Sequence, residues 1–124
     1  MHESPLATYR RHLSAGQLAY QYDPEARRAV FPPRVVAPLT GATELEWRIS
    51  AGLGTVHAVT VVHPRDQAPY NVVLVDMDEG FRLMSRVEGD PARPPRIGMR
   101  VKARACLAPD GGDPHPVFDA LEAA

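Results

Sequence analysis

The side chains able to do chemistry in this chain are few and widely spaced. Cys106 is the one cysteine among 124 residues, so no disulfide forms within the chain and no all-cysteine metal site is available to it. As a nucleophile Cys106 would need a base beside it. No Cys/His/Asp set can be read around it, and a small strand residue is the plainer role. His57 and His63 are six residues apart, a spacing that puts both on one face of a regular strand. A metal would need a third ligand there, so rim histidines are the simpler reading. Asp76, Asp78 and Glu79 form "DMDEG". Paired carboxylates can transfer protons, but Asp and Gly also favour turns for backbone reasons. The arginines offer more. Arg82 and Arg86 fall on one strand face, Arg93 and Arg96 in a proline loop, and Arg100, Lys102 and Arg104 on another face. Guanidinium groups bind phosphates in bidentate geometry, although each of these alone also fits a solvated sheet face.

The elements that must hold these residues are mostly strands. Thirteen prolines and nine glycines cut the chain into short pieces, and 44% hydrophobic residues supply a core. "SPLATYRRHLSAG" predicts one helix, with Ser4 as N-cap, Pro5 in the first turn, and Gly16 as the stop. Leu6, Tyr9 and Leu13 fall on its apolar face. "QLAYQY" predicts a short strand. "TELEWRIS" alternates, with Leu45, Trp47 and Ile49 on one side. Gly52 and Gly54 predict a bulge or sharp coil entering the β-branched run "TVHAVTVVH". "PYNVVLVDM" and "FRLMSRVEG" flank the turn "DEG". "MRVKARACL" sets Val101, Ala103 and Ala105 against Arg100, Lys102 and Arg104, and "HPVFDAL" forms a last strand. About five strands without helical crossovers predict a small antiparallel barrel, OB-like or SH3-like.

Composition narrows the function. The net charge of −1 gives no global basic field for nucleic acid or an anionic membrane. Among the 14 basic residues only Lys102 is lysine. No apolar run approaches the ~18–20 residues of a spanning helix. The opening "MHESPLATYRRH" lacks the apolar centre of a signal peptide, which predicts a cytoplasmic protein.

Residues 22–43, beginning "YDPEARRAVFPPRVVAPLTG", fit neither a helix nor a long strand. With "FPPR" (31–34), "LEW" (45–47), "GLGTVHAVTVVH" (52–63), "APYNVVLVDMDEGFRLMSRV" (68–87), "IGMRV" (97–101) and "PVF" (116–118), they form an ordered series. In that series the chain resembles the domain-of-unknown-function 35 family nearly end to end. The resemblance implies a zinc ribbon followed by an OB-fold. It divides the chain into an N-terminal helix and strand (1–21), a ribbon-like segment (22–43) and the OB-fold (44–124). Family members usually carry C-x-x-C on each side of "FPPR". Those four positions are Asp23, Ala26, Ala37 and Thr40 here. One carboxylate, two methyl groups and a hydroxyl do not make a tetrahedral zinc site, so neither structural zinc nor any other cofactor is expected. Structural zinc can contribute about 10 kcal/mol or more to a small fold. Its loss predicts a loose knuckle held by packing of Tyr20, Tyr22, Val30, Phe31 and the prolines, or one covered by a partner or a second copy.

The resemblance further implies a non-catalytic accessory subunit. Such proteins are commonly encoded beside thiolases or thiolase-like lipid-transfer proteins of acyl-CoA metabolism, in steroid side-chain degradation among other settings. On this reading an exposed Phe31, with Pro32, Pro33 and Arg34, contacts the partner. Arg34, His57, His63, Arg82 and Arg86 are the candidate acyl-CoA contacts, and a homodimer is compatible with them. A free-standing acyl-CoA binder is the alternative. A single-stranded nucleic-acid module is the other, although the central strands offer few aromatic platforms for bases.

Overall fold

The computed structural model describes residues 4–35, 41, 45–89, 93–106 and 113–121. One helix, α1 (Pro5–Ser14), opens the chain. The Ser4 hydroxyl accepts from the Ala7 amide at 3.1 Å, satisfying one of the unpaired donors of the first turn. At the other end Gly16 takes φ +82° and donates to Leu13 O at 2.9 Å. Tyr9 and Leu13 are buried as expected, but Leu6 is 46% exposed. Thr8 joins the buried face instead; its hydroxyl is spent on Ser4 O at 3.2 Å, which lets the side chain leave water.

Two sheets follow. The smaller has the order β2-β1-β3, from β1 (Ala19–Asp23), β2 (Arg28–Val30) and β3 (Glu46–Ile49), all antiparallel. The segment "TELEWRIS" therefore pairs with β1, through Gln21↔Trp47 and its neighbours, rather than with the larger sheet. Trp47 packs on the core while Ile49 is 48% exposed, so only part of that apolar face is covered.

The larger sheet has the order β6-β5-β4-β8-β9-β7. Its members are β4 (Leu53–Val62), β5 (Tyr70–Met77), β6 (Arg82–Ser85), β7 (Val87–Glu88), β8 (Arg100–Cys106) and β9 (His115–Ala120). The ladder is open by pairing, yet its two end strands are separated in sequence by Arg86 alone. β6 runs antiparallel to β5, and β7 runs parallel to β9. Phe118 N–H donates to Arg86 O at 2.9 Å and Ser85 Oγ to Pro116 O at 2.6 Å. One chain segment thus joins both ends of the sheet, the arrangement of an OB-fold. The expected five-stranded barrel holds in outline, with its third strand broken in two at Arg86.

The core lies inside this curl. Val56, Val73, Val75, Val101 and Phe118 are at most 1% exposed. On β8 the predicted alternation holds: Val101 is fully buried, and Ala103 and Ala105 pack against the core. Of the bulge or sharp coil expected where the glycines enter β4, the sharp coil is what forms. Gly52 turns the chain at φ +81° and accepts from Ala103 N at 2.7 Å. Gly54 lies where strands crowd: a Cβ would stand 2.6 Å from Val75 Cγ1 and 2.9 Å from Asp76 O. The bulge itself is at His57, the extra residue between the pairs Val56↔Val75 and Ala58↔Leu74.

Candidate functional site

The "FPPR" segment is tied down from two sides. Gln21 on β1 is 4% exposed, and its side-chain amide faces the backbone of Arg34. Gln21 Nε2 donates to Arg34 O at 2.7 Å, and Arg34 N–H donates to Gln21 Oε1 at 2.6 Å. One side chain here replaces a rung of sheet pairing. Phe31 supplies the second tie. It meets Tyr9 edge-on at 5.6 Å and stacks on Phe81 at 5.1 Å, while Tyr20 stacks on Phe81 at 4.9 Å. These rings link α1, the small sheet and the barrel. An exposed Phe31 is therefore not what the fold contains: its ring is half-buried and packed on the core. Pro32, Arg34 and Val35 are exposed, with Val35 at 68%, and Pro33 is half-buried.

The knuckle holds by more than packing. Asp23 is 1% exposed, and its Oδ1 accepts from Glu25 N at 3.0 Å and Ala26 N at 3.3 Å. The carboxylate closes the β1–β2 turn, in which Arg27 takes φ +55°. Tyr22 receives the Arg48 guanidinium over its ring at 3.6 Å. Of the four positions that carry zinc ligands in the family pattern, Asp23 is committed to amides and Ala26 offers a methyl group. Ala37 and Thr40 lie outside the described residues. This donor set does not fit zinc.

Each acid of "DMDEG" is committed to structure. Asp76 Oδ1 accepts from Arg82 Nε at 2.6 Å, and its other oxygen lies 3.3 Å from His57 Nδ1. The Arg82 hydrogen bond holds the Asp76 carboxyl below the usual carboxylate range. Arg100 grips Asp78 with two bonds of 2.7 Å, which lowers that carboxyl likewise, and also reaches Thr55 Oγ1 at 3.0 Å. Glu79 accepts from Ser50 Oγ at 2.8 Å and Ala51 N at 2.9 Å, tying the β5–β6 turn to the link between the sheets. The turn reading holds, and the carboxylates are bound to partners rather than poised for proton transfer.

The candidate ligand residues do not converge. The bulge at His57 reverses the strand alternation: Val56 pairs with buried Val75, and Val59 with buried Val73. The regular spacing that aligned His57 with His63 does not survive it, and His63 lies past the end of β4. Arg82 and Arg86 are also not equivalent. Arg82 sits within β6 and is held by Asp76, whereas Arg86 occupies the break and pairs with Glu88 at 3.0 Å. On β8, Arg104 pairs with Asp119 at 2.7 Å. Such exposed pairs add little stability; their effect here is to neutralise faces that the arginine pattern left open for phosphate. Cys106 ends β8, half-buried and opposite His115 in register.

One concavity gathers cations that are not fully neutralised. A cleft of about 320 Å³ lies between the distal β4–β5 hairpin, the β6–β7 break and the loop before β8. Arg86, Arg93 and Arg96 line it, with Tyr70 and Met99 on its apolar side. Of the five candidate acyl-CoA contacts only Arg86 belongs to it. Arg93 and Arg96 stood out in the sequence as the arginines of a proline loop, but nothing in their spacing showed that they line one cleft with Tyr70. No described helix is long and apolar enough to cross a membrane.

Comparison with known proteins agrees with this architecture. The sequence profile of the ChsH2 C-terminal OB-fold domain matches residues 47–105. Over 89 residues the chain is 33% identical to a DUF35 domain-containing scaffold protein of Methanocaldococcus jannaschii, covering 67% of this chain and 63% of that protein. Over 71 residues it is 37% identical to the 3-oxo-4,17-pregnadiene-20-carboxyl-CoA hydratase alpha subunit of Mycobacterium tuberculosis, covering 53% of this chain and 22% of that one. The match thus spans less than two thirds of either relative. Among solved structures, a chain of the "Ltp2-ChsH2(DUF35) aldolase" superposes with a TM-score of 0.80 at 27% identity, over 98% of both chains. A DUF35 protein of Sulfolobus solfataricus superposes at 0.64 with 14% identity, over 91% of this chain and 82% of that one, a likeness of fold alone. Fold, profile and relatives agree: the chain belongs to the DUF35 family.

Proposed function

We propose that this chain is a non-catalytic accessory subunit of an enzyme assembly in acyl-CoA metabolism, docked on a thiolase or thiolase-like lipid-transfer protein. The observation that carries this reading is the end-to-end superposition on a chain of the Ltp2-ChsH2(DUF35) aldolase, covering 98% of both. The two sequence relatives, a scaffold protein and a subunit of a CoA-thioester hydratase, point the same way. The chemistry inside the chain supports a non-catalytic role. The acids of "DMDEG" are bound to arginines, a hydroxyl and an amide, and no hydrogen bond ties Cys106 to a base among the described residues.

Docking falls to the segment that Gln21 and Phe31 hold in place. Pro32 and Arg34, with Val35 beyond them, project from a fixed backbone, so little ordering entropy is lost when a partner covers them. Metal has no part in this: amides that donate to the Asp23 carboxylate, and the Gln21 side chain bonded to the Arg34 backbone, shape the knuckle. The chain also contacts the acyl-CoA that the assembly handles. Purified alone, it should turn over no acyl-CoA, and the partner's activity should fall when it is removed and return when it is added back. Acyl-CoA turnover by the isolated chain would refute the accessory role.

A further inference from the structure

We infer that the cleft between Tyr70 and the "RPPR" loop (93–96) binds a phosphate ester that carries an uncharged arm. The charge balance is the first reason. Three arginines and one carboxylate, Glu88, line the cleft, leaving two positive charges in a chain whose net charge is −1. Glu88 is already engaged by Arg86. Among the described residues, Arg93 and Arg96 meet no carboxylate within salt-bridge distance, unlike Arg82, Arg100 and Arg104. Arg27, Arg28, Arg34 and Arg65 are likewise without an acid partner but lie outside the cleft. A pair of free guanidinium groups in a concavity matches the oxygens of a phosphate or pyrophosphate better than a single carboxylate.

The loop that presents these arginines is pre-organised. Pro94 and Pro95 fix φ for two of its four residues, and Pro95 is buried, which anchors the loop in the body of the protein. The opposite wall is fixed too. Asn71 donates to Val87 O at 3.0 Å and accepts from Val87 N at 2.8 Å, pinning the residue between Arg86 and Glu88. Binding would therefore order few side chains besides the two arginines.

The apolar side selects against a bare anion. Tyr70 is 48% exposed and Val61 39%, and both border the cleft with Met99. An exposed ring beside guanidinium groups offers a stacking surface for a planar or extended group attached to the phosphate. At about 320 Å³ the cleft sits at the lower end of ligand sites, which run from about 300 to 1,000 Å³. It therefore encloses one end of a large ligand rather than the whole. Coenzyme A has this chemistry, with a pyrophosphate joined to a planar base on one side and an uncharged pantetheine arm on the other. Naming it rests on the acyl-CoA reading above; the site itself rests on the geometry.

The test is isothermal titration of the full chain, at low ionic strength, with coenzyme A, inorganic pyrophosphate and pantetheine. Coenzyme A should bind, pyrophosphate should bind more weakly and compete with it, and pantetheine alone should give no measurable heat. Arg93→Ala with Arg96→Ala should weaken coenzyme A by about tenfold or more, the scale of two lost charge-assisted bonds, without changing Tm. Arg82→Ala, outside the cleft, should leave the affinity alone. Tyr70→Ala should weaken coenzyme A and spare pyrophosphate. The inference is overturned if neither phosphate compound binds, if the double variant binds as well as the parent, or if pantetheine binds as tightly as coenzyme A. A parent chain that docks its partner but binds no coenzyme A refutes the cleft alone; one that binds coenzyme A but does not dock refutes the docking surface alone.

Discussion

Asp23 shows how one buried side chain can shape a turn. It occupies the first of the family's four zinc-ligand positions, and buried at 1% exposure it closes its turn by accepting from two amides. Asp23→Ala should cost about 1–2 kcal/mol by leaving those donors buried and unmet, whereas Asp23→Asn, which keeps an acceptor oxygen, should cost less. Urea unfolding would measure both, and a chelator should leave the parent's Tm unchanged. A Tm that falls on chelation would mean that a metal holds this knuckle after all. Tyr9 makes a second prediction at this scale. Burial pushes its phenol up to about 12. The folded state then keeps a proton that the unfolded chain releases near pH 10, so the stability tied to the neutral phenol is complete below about pH 10 and declines up to about pH 12. A phenolate absorbance step persisting to about pH 12, and absent in Tyr9→Phe, would confirm it; a titration unchanged by that substitution would contradict it. That the four ligand positions offer no tetrahedral donor set was legible from residue types alone. What shapes the turn was not, because nothing in "YDPEA" says that the Asp23 carboxylate turns inward onto its own turn.

At the scale of elements, rings join the small sheet to the barrel, and a single glutamine, Gln21, ties the "FPPR" segment to β1. Alternation and turn residues made the helix, the "DEG" turn and the β8 pattern legible, because these rest on local periodicity. Three features were not. Glu46–Ile49 alternates like a barrel strand but pairs with β1, a choice between partners that periodicity cannot make. The bulge at His57 separates two histidines that a regular strand would align. Phe31 looks exposed in a proline-broken segment, yet it is one of the two inner rings of a four-ring cluster whose other members, Tyr9, Tyr20 and Phe81, are distant in sequence. Its placement decides how docking should be probed. Phe31→Ala would damage the fold along with any interface. Arg34→Ala with Val35→Asp changes only exposed side chains and leaves the Gln21 bonds to the Arg34 backbone in place. The pair should weaken partner binding by about tenfold or more, the range of interface hot spots, with Tm unchanged. Binding equal to the parent's would move the interface to another face.

At the scale of the whole molecule, the protein is a shaped body with few reactive groups. Its exposed acids and arginines largely neutralise one another, no hydrogen bond ties its cysteine to a base among the described residues, and two of the arginines left without an acid partner, Arg93 and Arg96, line one cleft. On the proposed reading, a chain built this way acts by what it holds together. The measurement that tests this most directly is affinity capture of the tagged chain from its native cells in gentle buffer, with mass spectrometry to identify what is bound and in what ratio. The account predicts a thiolase-like protein recovered in stoichiometric amount. Recovery of the chain alone, as a monomer or as its own dimer, would contradict the accessory role.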